Sequence, residues 1–126
     1  MKIEEAIKQA QFKSEFQKAS INLMFTVSWM SSSIGQALKP FEISNQQFNI
    51  LRILRGSHPK PQSVKELTGK MLDRSSNASR LVDKLLEKKL VERTICPSDR
   101  RKVEILITDS GLKLTEDASQ EIEKVT

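Results

Sequence analysis

The chain has 126 residues, of which 37% are hydrophobic and 29% charged, so it suits one folded domain with an attached association element. A single cysteine excludes an internal disulfide, and one cysteine with one histidine excludes a structural zinc site. Because it shows neither an apolar run of about 18 residues nor a signal-peptide core, we expect a cytosolic protein with no membrane partner.

The positive charge is concentrated in one segment. Residues 70–102 contain ten basic and five acidic side chains, which accounts for the whole formal net charge of +5. A local excess of this kind is typical of a face that binds a polyanion, and a solvated surface is the simpler alternative.

Residues 1–38 are predicted to be mostly helical, with a candidate break at Ser31-Ser32-Ser33 and an end at Lys39-Pro40. A helix this long extends beyond a small core, so we expect part of it to pack on another chain. The apolar positions recur mostly at spacings of three, four and seven: Ile3, Ile7, Ala10, Phe16, Leu23, Val27, Met30, Ile34 and Leu38.

Two capping boxes predict the next two helices. Ser44 and Gln47 open the segment ISNQQFNILRILRG, which we expect to end at Gly56 in the left-handed conformation. After the polar turn SHPKP, Ser63 and Glu66 open a short helix that ends near Lys70.

A longer helix is predicted from Ser75 to Lys88, with an apolar side and a polar, basic side. A short helix, a turn and this second helix are typical of a helix-turn-helix. The apolar side carries Ala78, Leu81, Val82, Leu85 and Leu86. The candidate major-groove contacts are Ser75, Ser76, Asn77, Ser79, Arg80 and Lys84.

These polar residues can bind base edges, because Asn pairs with adenine, Arg with guanine, and Ser with bases or phosphates. The alternative is that Ser and Asn gather at helix starts because they cap them. Capping accounts for Asp73, Ser75 or Ser76, but not for Asn77, Ser79 and Arg80 together.

The β-rich runs LVERTI and VEILIT, joined by CPSDRRK, predict a β-hairpin, and TDSGLKLTEDASQEIEKV returns to helical spacing. Arg100, Arg101 and Lys102 at the hairpin tip suit a narrow minor groove, whose negative potential attracts arginine. Asp99 can hold the guanidinium of Arg101 by charge-assisted hydrogen bonds. The alternative is a plain polar turn at Pro97-Ser98-Asp99.

The run SNASRLVDKLLEKKLVERTICPSDRRKVEILITDSG resembles the MarR family of bacterial winged-helix transcriptional regulators. The family pattern is a recognition helix, then "LV-ER", an Asp-x-Arg wing and an "LT-x-x-G" exit. The similarity extends upstream through QQFNILRIL and SVKEL, so that it covers roughly residues 20–115.

This resemblance implies a mainly α fold with a small β-hairpin: a winged helix-turn-helix flanked by N- and C-terminal dimerisation helices. We expect dimerisation helices at 1–38 and 109–126 and the DNA-binding domain at 39–108. The implied function is a homodimeric repressor that binds a pseudo-palindromic operator in double-stranded DNA. Its wing at 96–102 would place Arg101 in the minor groove, braced by Asp99, with Arg100 on phosphate.

The chain departs from the family pattern at two places. Lys89 stands where the family usually has Gly after the recognition helix, so either Lys89 adopts a positive φ, at about 1 kcal/mol, or the helix ends differently. The family's C-terminal helix usually runs longer than the stretch that ends here at Thr126.

Family members often respond to small aromatic or anionic effectors bound between the dimerisation helices and the DNA-binding lobe. Phe25, Trp29 and Met30 are the candidate pocket residues, with plain core or dimer contacts as the alternative. Cys96 at the wing base is a candidate redox sensor, although a lone thiol is usually inert.

No nucleophile paired with a base, no metal-ligand cluster and no phosphate-binding glycine loop is visible. We therefore expect no catalysis, no cofactor and no metal. The alternative function is a winged-helix module for protein or RNA contact without operator recognition.

Overall fold

The computed structural model describes residues 14–73, 75–96 and 98–124, and for residues 96 and 99–102 it describes the backbone alone. Within these residues the chain is mainly α-helical, with a small antiparallel sheet. The helices are α1 (Glu15–Leu38), α2 (Asn45–Ser57), α3 (Val64–Lys70), α4 (Ala78–Glu87) and α5 (Asp109–Glu123). The strands are β1 (Gln62–Ser63), β2 (Val91–Cys96) and β3 (Asp99–Ile107).

Helix α1 begins after Ser14, whose hydroxyl accepts a hydrogen bond from the Gln17 N–H at 3.1 Å. It runs unbroken to Leu38, so the expected break at the three serines is wrong. A tertiary contact supports the helix there, because the Asn45 Nδ2 donates to both the carbonyl and the hydroxyl oxygen of Ser31 at 3.0 Å. The predicted helical residues 1–13 lie outside the described residues.

The capping box at the start of α2 is confirmed. The Ser44 hydroxyl accepts from the Gln47 N–H at 3.1 Å, and the Gln47 Oε1 accepts from the Ser44 N–H at 2.8 Å. The predicted end is wrong, because α2 continues through Ser57 and Gly56 has no positive φ. The His58 N–H donates to the Arg55 carbonyl at 3.3 Å, and this bond closes the helix without a left-handed residue.

The second capping box is also confirmed: the Ser63 hydroxyl accepts from the Glu66 N–H at 3.1 Å, and α3 ends at Lys70 as predicted. The sheet has the order β1-β3-β2, with all pairs antiparallel. The two-residue strand β1, which places Gln62 opposite Ile105, was not predicted.

The predicted hairpin is confirmed, with Val91 opposite Ile107 and Ile95 opposite Val103. Its connection is shorter than the segment CPSDRRK suggests, because the backbone of 99–102 already belongs to β3. The register shifts between Ile95 and Cys96, where Cys96 pairs with Asp99. The strand therefore bulges where the three basic wing residues lie.

The core is one cluster that joins all five helices to the sheet. Its members include Leu38, Leu51, Leu54, Leu67, Val82, Leu85, Ile105 and Ala118. On α5 the polar residue Thr115 faces inward and is fully buried. Its hydroxyl donates to the Gly111 carbonyl at 2.6 Å, so the burial leaves no polar atom unpaired.

A junction at Leu90 fastens α4, the hairpin and α5 together. The Leu90 N–H donates to the Leu85 carbonyl at 3.1 Å, and the Leu90 carbonyl accepts from the Thr108 N–H at 3.0 Å. The Thr108 hydroxyl donates to the Lys89 carbonyl at 2.9 Å and accepts from the Gly111 N–H at 3.1 Å, as the cap of α5.

Lys89 has φ of 60°, which confirms the first of the two expected alternatives at the position where the family usually has Gly. Its N–H donates to the Leu86 carbonyl at 3.0 Å and closes α4. This conformation costs a non-glycine residue about 1 kcal/mol, which the surrounding hydrogen bonds offset.

Substitution of Gly111 by Ala should destabilise the fold. A Cβ there would lie 2.1 Å from the Leu90 carbonyl oxygen and 2.7 Å from the Ile107 Cγ1, so the junction must open. We expect a loss of about 1–3 kcal/mol in the free energy of unfolding, measured by urea denaturation.

Gly56→Ala is the matched control, because a Cβ at Gly56 meets nothing within 4 Å and the residue is helical. It should stabilise α2 by about 0.5–1 kcal/mol. Equal stability of the two variants would contradict the close contact at Leu90.

Candidate nucleic-acid interface

Helix α4 begins at Ala78 rather than at Ser75, and Asn77 caps it. The Asn77 Oδ1 accepts from the Arg80 N–H at 3.1 Å. The argument that capping does not account for Asn77 is therefore wrong. Ser75 and Ser76 lie in the turn before the helix, because Asn77 takes the cap position. A contact of Asn77 with DNA stays a prediction.

The turn before α4 is organised by Asp73. The Ser75 hydroxyl donates to the Asp73 carboxylate at 2.5 Å, and the Ser75 N–H donates to the same oxygen at 3.0 Å. These bonds favour the ionised carboxylate and lower the pKa of Asp73 below its ordinary value. The negative charge of Asp73 is therefore used to shape the turn.

Helix α2 contacts the start of this turn at Leu72, the residue before Asp73. The Asn49 Oδ1 accepts from the Leu72 N–H at 2.9 Å, which joins α2 to the connection between α3 and α4. The Leu72 side chain itself is 92% exposed. The helix-turn-helix is therefore positioned by a side chain outside it, which the sequence patterns did not reveal.

The polar side of α4 faces solvent as predicted. Ser75, Asn77, Ser79, Arg80 and Lys84 are exposed and Ser76 is half-buried. Within the described residues neither the Arg80 nor the Lys84 side chain forms an ion pair. Their charges are therefore available to a ligand.

An open cleft of about 290 Å³ lies between this side of α4 and the first turn of α2. Five of its six lining residues belong to α4 or the turn before it: Ser76, Asn77, Arg80, Leu81 and Lys84. The sixth is Gln46 of α2. Sequence patterns predicted the start of α2 but carried no signal that it borders α4.

The wing lies beside α4. Arg93 of β2 lies 3.5 Å from Asp83 of α4, and both side chains are more than half exposed, so the ion pair aligns the two elements but adds little stability. Further along the hairpin Ile95 and Val103 pair across the strands and are both exposed. The wing extends beyond the core at this point.

The expected wing contacts cannot be placed at side-chain level. The side chains of Asp99, Arg100, Arg101 and Lys102 lie outside the described residues, as does that of Cys96. Their backbone lies in β2 and β3. The minor-groove role of Arg101, its brace by Asp99 and the redox role of Cys96 stay predictions.

Helix α1 presents a long exposed apolar surface, which includes Phe16, Leu23, Met24, Val27, Trp29 and Met30. An open groove of about 540 Å³ on it is lined by Leu23, Met24, Val27, Ser28, Ser31 and Ser32. None of the candidate effector residues Phe25, Trp29 and Met30 lines this groove, and their ligand role stays a prediction.

No group of three or more His, Cys, Asp or Glu side chains in the described part of the chain is placed to hold a metal ion. No described helix is both long and apolar enough to cross a membrane.

Comparisons with known proteins agree on one family. The MarR family model matches residues 43–103. The crystal structure of a MarR transcription factor from Planctomyces limnophilus superposes with a TM-score of 0.77 at 34% identity, over 90% of this chain and 82% of that one. No curated protein sequence matches the chain significantly.

Two structures of MepR from S. aureus share the fold. MepR in its DNA-binding conformation has a TM-score of 0.75 at 24% identity, over 85% of this chain and 78% of that one. A MepR mutant bound to an oligodeoxyribonucleotide has a TM-score of 0.69 at 23% identity and the same coverage. The chain therefore belongs to the MarR family, whose members are DNA-binding transcription regulators and not enzymes.

Asn77→Ala should destabilise α4, because the Arg80 N–H loses its acceptor. We expect a loss of about 1 kcal/mol in urea denaturation, and Asn77→Ser, which restores a capping oxygen, should recover most of it. Ser79→Ala, at an exposed position inside the same helix, serves as the control.

Equal losses in the Ala and Ser variants would contradict the cap. The Ser variant keeps the cap but lacks the carboxamide group of Asn77. A change in its DNA affinity therefore measures what the carboxamide contributes to DNA binding, because the helix itself is unchanged.

Proposed function

We propose that this chain represses transcription as a homodimer that binds a pseudo-palindromic operator in double-stranded DNA. Helix α4 of each protomer enters the major groove, and the wing at 96–102 enters the adjacent minor groove. In this proposal residues 39–108 form the DNA-binding unit. Residues 1–38 and 109–126 form the association helices on either side of it.

The observation that carries this proposal is the exposed polar side of α4. Arg80 and Lys84 stand one helical turn apart and have no ion-pair partner in the described residues. Two like charges at this spacing repel each other, so the arrangement costs stability unless a polyanion is bound. Short hydroxyl side chains at Ser75 and Ser79 allow the helix to approach a groove closely.

The wing supports the proposal through its placement. Asp83 and Arg93 align β2 with α4, so the hairpin extends along the same side of the molecule as the helix. A helix in the major groove then brings the hairpin to the neighbouring minor groove, where Arg101 is the expected contact.

The dimer is supported by α1. A monomer in water rarely exposes as many large apolar side chains on one helix as α1 does with Leu23, Met24 and Val27. A symmetric partner that covers this surface would set two α4 helices at a fixed separation, as a two-fold operator requires. Repression then needs only that the bound dimer occlude the promoter.

Selection from a random duplex library tests the proposal. We expect an enriched pseudo-palindrome with half-sites about 10 bp apart between centres, bound by two protomers in analytical ultracentrifugation. Log affinity should fall linearly with log salt concentration, because phosphate contacts release counterions. Arg101→Ala and Arg80→Ala should each weaken binding about tenfold or more without unfolding the protein.

Lys60→Ala, which removes an exposed charge in the turn between α2 and β1, provides the control for net charge. Enrichment of a single half-site would contradict the dimer. Equal affinity for all duplexes, or preference for structured RNA, would favour a module for RNA or protein contact instead.

A further inference from the structure

The cleft between α2 and α4 combines features that a phosphate group requires. Arg80 and Lys84 supply two positive charges on one wall, and Gln46 supplies carboxamide N–H donors on the other. The six lining residues include no Asp or Glu. The cleft is open to solvent, so a group that forms part of a long polymer can enter it.

Both walls of the cleft are held in place by hydrogen bonds that do not involve the side chains of Gln46, Arg80 and Lys84. Asn45, next to Gln46, anchors the first turn of α2 to Ser31 of α1. Asn49, one turn further along α2, holds the Leu72 N–H at the turn that leads to α4. These bonds fix the backbone of the two elements from which Gln46, Arg80 and Lys84 project.

We propose that this cleft seats one phosphate of the DNA backbone, which Gln46 and Lys84 bind together while Arg80 lies toward the groove. This proposal rests on the function proposed above and adds to it a contact from outside the helix-turn-helix. A backbone phosphate is favoured over a base edge because Gln46 and α4 flank the contact from two sides, as at the rim of a groove.

Gln46 is then a register-setting residue. A phosphate contact carries no sequence information, but it fixes how deep and at what angle α4 enters the groove. Because α1 is tied to the first turn of α2 through Asn45, the same contact links the association helix to the position of the DNA backbone.

Affinity measurements on a mixed-sequence 25-bp duplex test the proposal, since a phosphate contact operates on any sequence. The variants are Gln46→Ala, Lys84→Gln and the double variant, with Lys60→Gln as the exposed control in the turn between α2 and β1, which does not border the cleft. Circular dichroism checks that each variant is folded.

Gln46→Ala should lower affinity about tenfold with an unchanged salt slope, because it removes a neutral donor to a charged oxygen. Lys84→Gln should lower affinity and reduce the salt slope of the proposed dimer by about 1.8, because each of its two protomers loses one phosphate contact worth about 0.9. The double variant should lose less than the product of the two single losses, because both side chains bind the same group.

Wild-type affinity of Gln46→Ala, or losses that multiply, would overturn the shared phosphate site. Absence of salt-dependent duplex binding by the wild-type chain would instead overturn the proposed function itself. The two failures are therefore distinguishable in one set of titrations.

A titration with inorganic phosphate distinguishes a free anion from a phosphate of the DNA backbone as the ligand of the cleft. In ¹⁵N NMR titrations the Gln46 carboxamide signal should shift on addition of duplex, and millimolar phosphate should compete weakly. Tight phosphate binding, combined with full duplex affinity in the double variant, would assign the cleft to a free anion and overturn its role in DNA binding.

Discussion

The carbonyl oxygen of Leu90 is the point on which the geometry of the winged helix depends. It accepts from the Thr108 N–H where β3 leaves the sheet, while the Leu90 N–H closes α4. Gly111 packs against the same carbonyl at a distance that admits no side chain. One residue, Leu90, therefore joins the end of α4, both hairpin strands and the start of α5 through its N–H and its carbonyl, and Lys89 before it adopts the left-handed conformation.

This junction gives a physical basis for the two separate DNA contacts that we propose. A helix and a hairpin that moved independently would lose orientational freedom on binding, at a cost to affinity. Here the core side chains Val82, Leu85 and Ile105 fix the inner faces of both elements. Arg80 and Lys84 then project from a preformed frame, and the exposed α1 surface is where we propose that a second copy binds.

Local signals predicted the helix starts well. Ser44 and Ser63 cap their helices because a hydroxyl three residues before an N–H is sufficient, whatever the rest of the chain does. The same rule is ambiguous where several candidates follow each other, and Asn77 rather than Ser75 or Ser76 became the cap of α4. The predicted helix end at Gly56 was wrong because α2 continues through Ser57 and ends without a left-handed residue.

Features that depend on tertiary contacts could not be predicted from the sequence patterns. The strand β1 has two residues and exists only because β3 passes beside it. In the sequence Gln46 is an ordinary exposed position near a helix start, and its place in the cleft wall follows from how α2 packs beside α4. The αL residue at Lys89 was anticipated only through the family resemblance, since Lys itself carries no signal for that conformation.

Native-state hydrogen exchange of the Thr108 N–H tests the central claim most directly, namely that the junction is as stable as the core. The account predicts that this amide exchanges only through global unfolding, with the same denaturant dependence as the core amide of Leu54. Exchange through a local opening that is insensitive to denaturant would show that the wing and α5 separate from α4 while the core stays folded. That result would contradict the account.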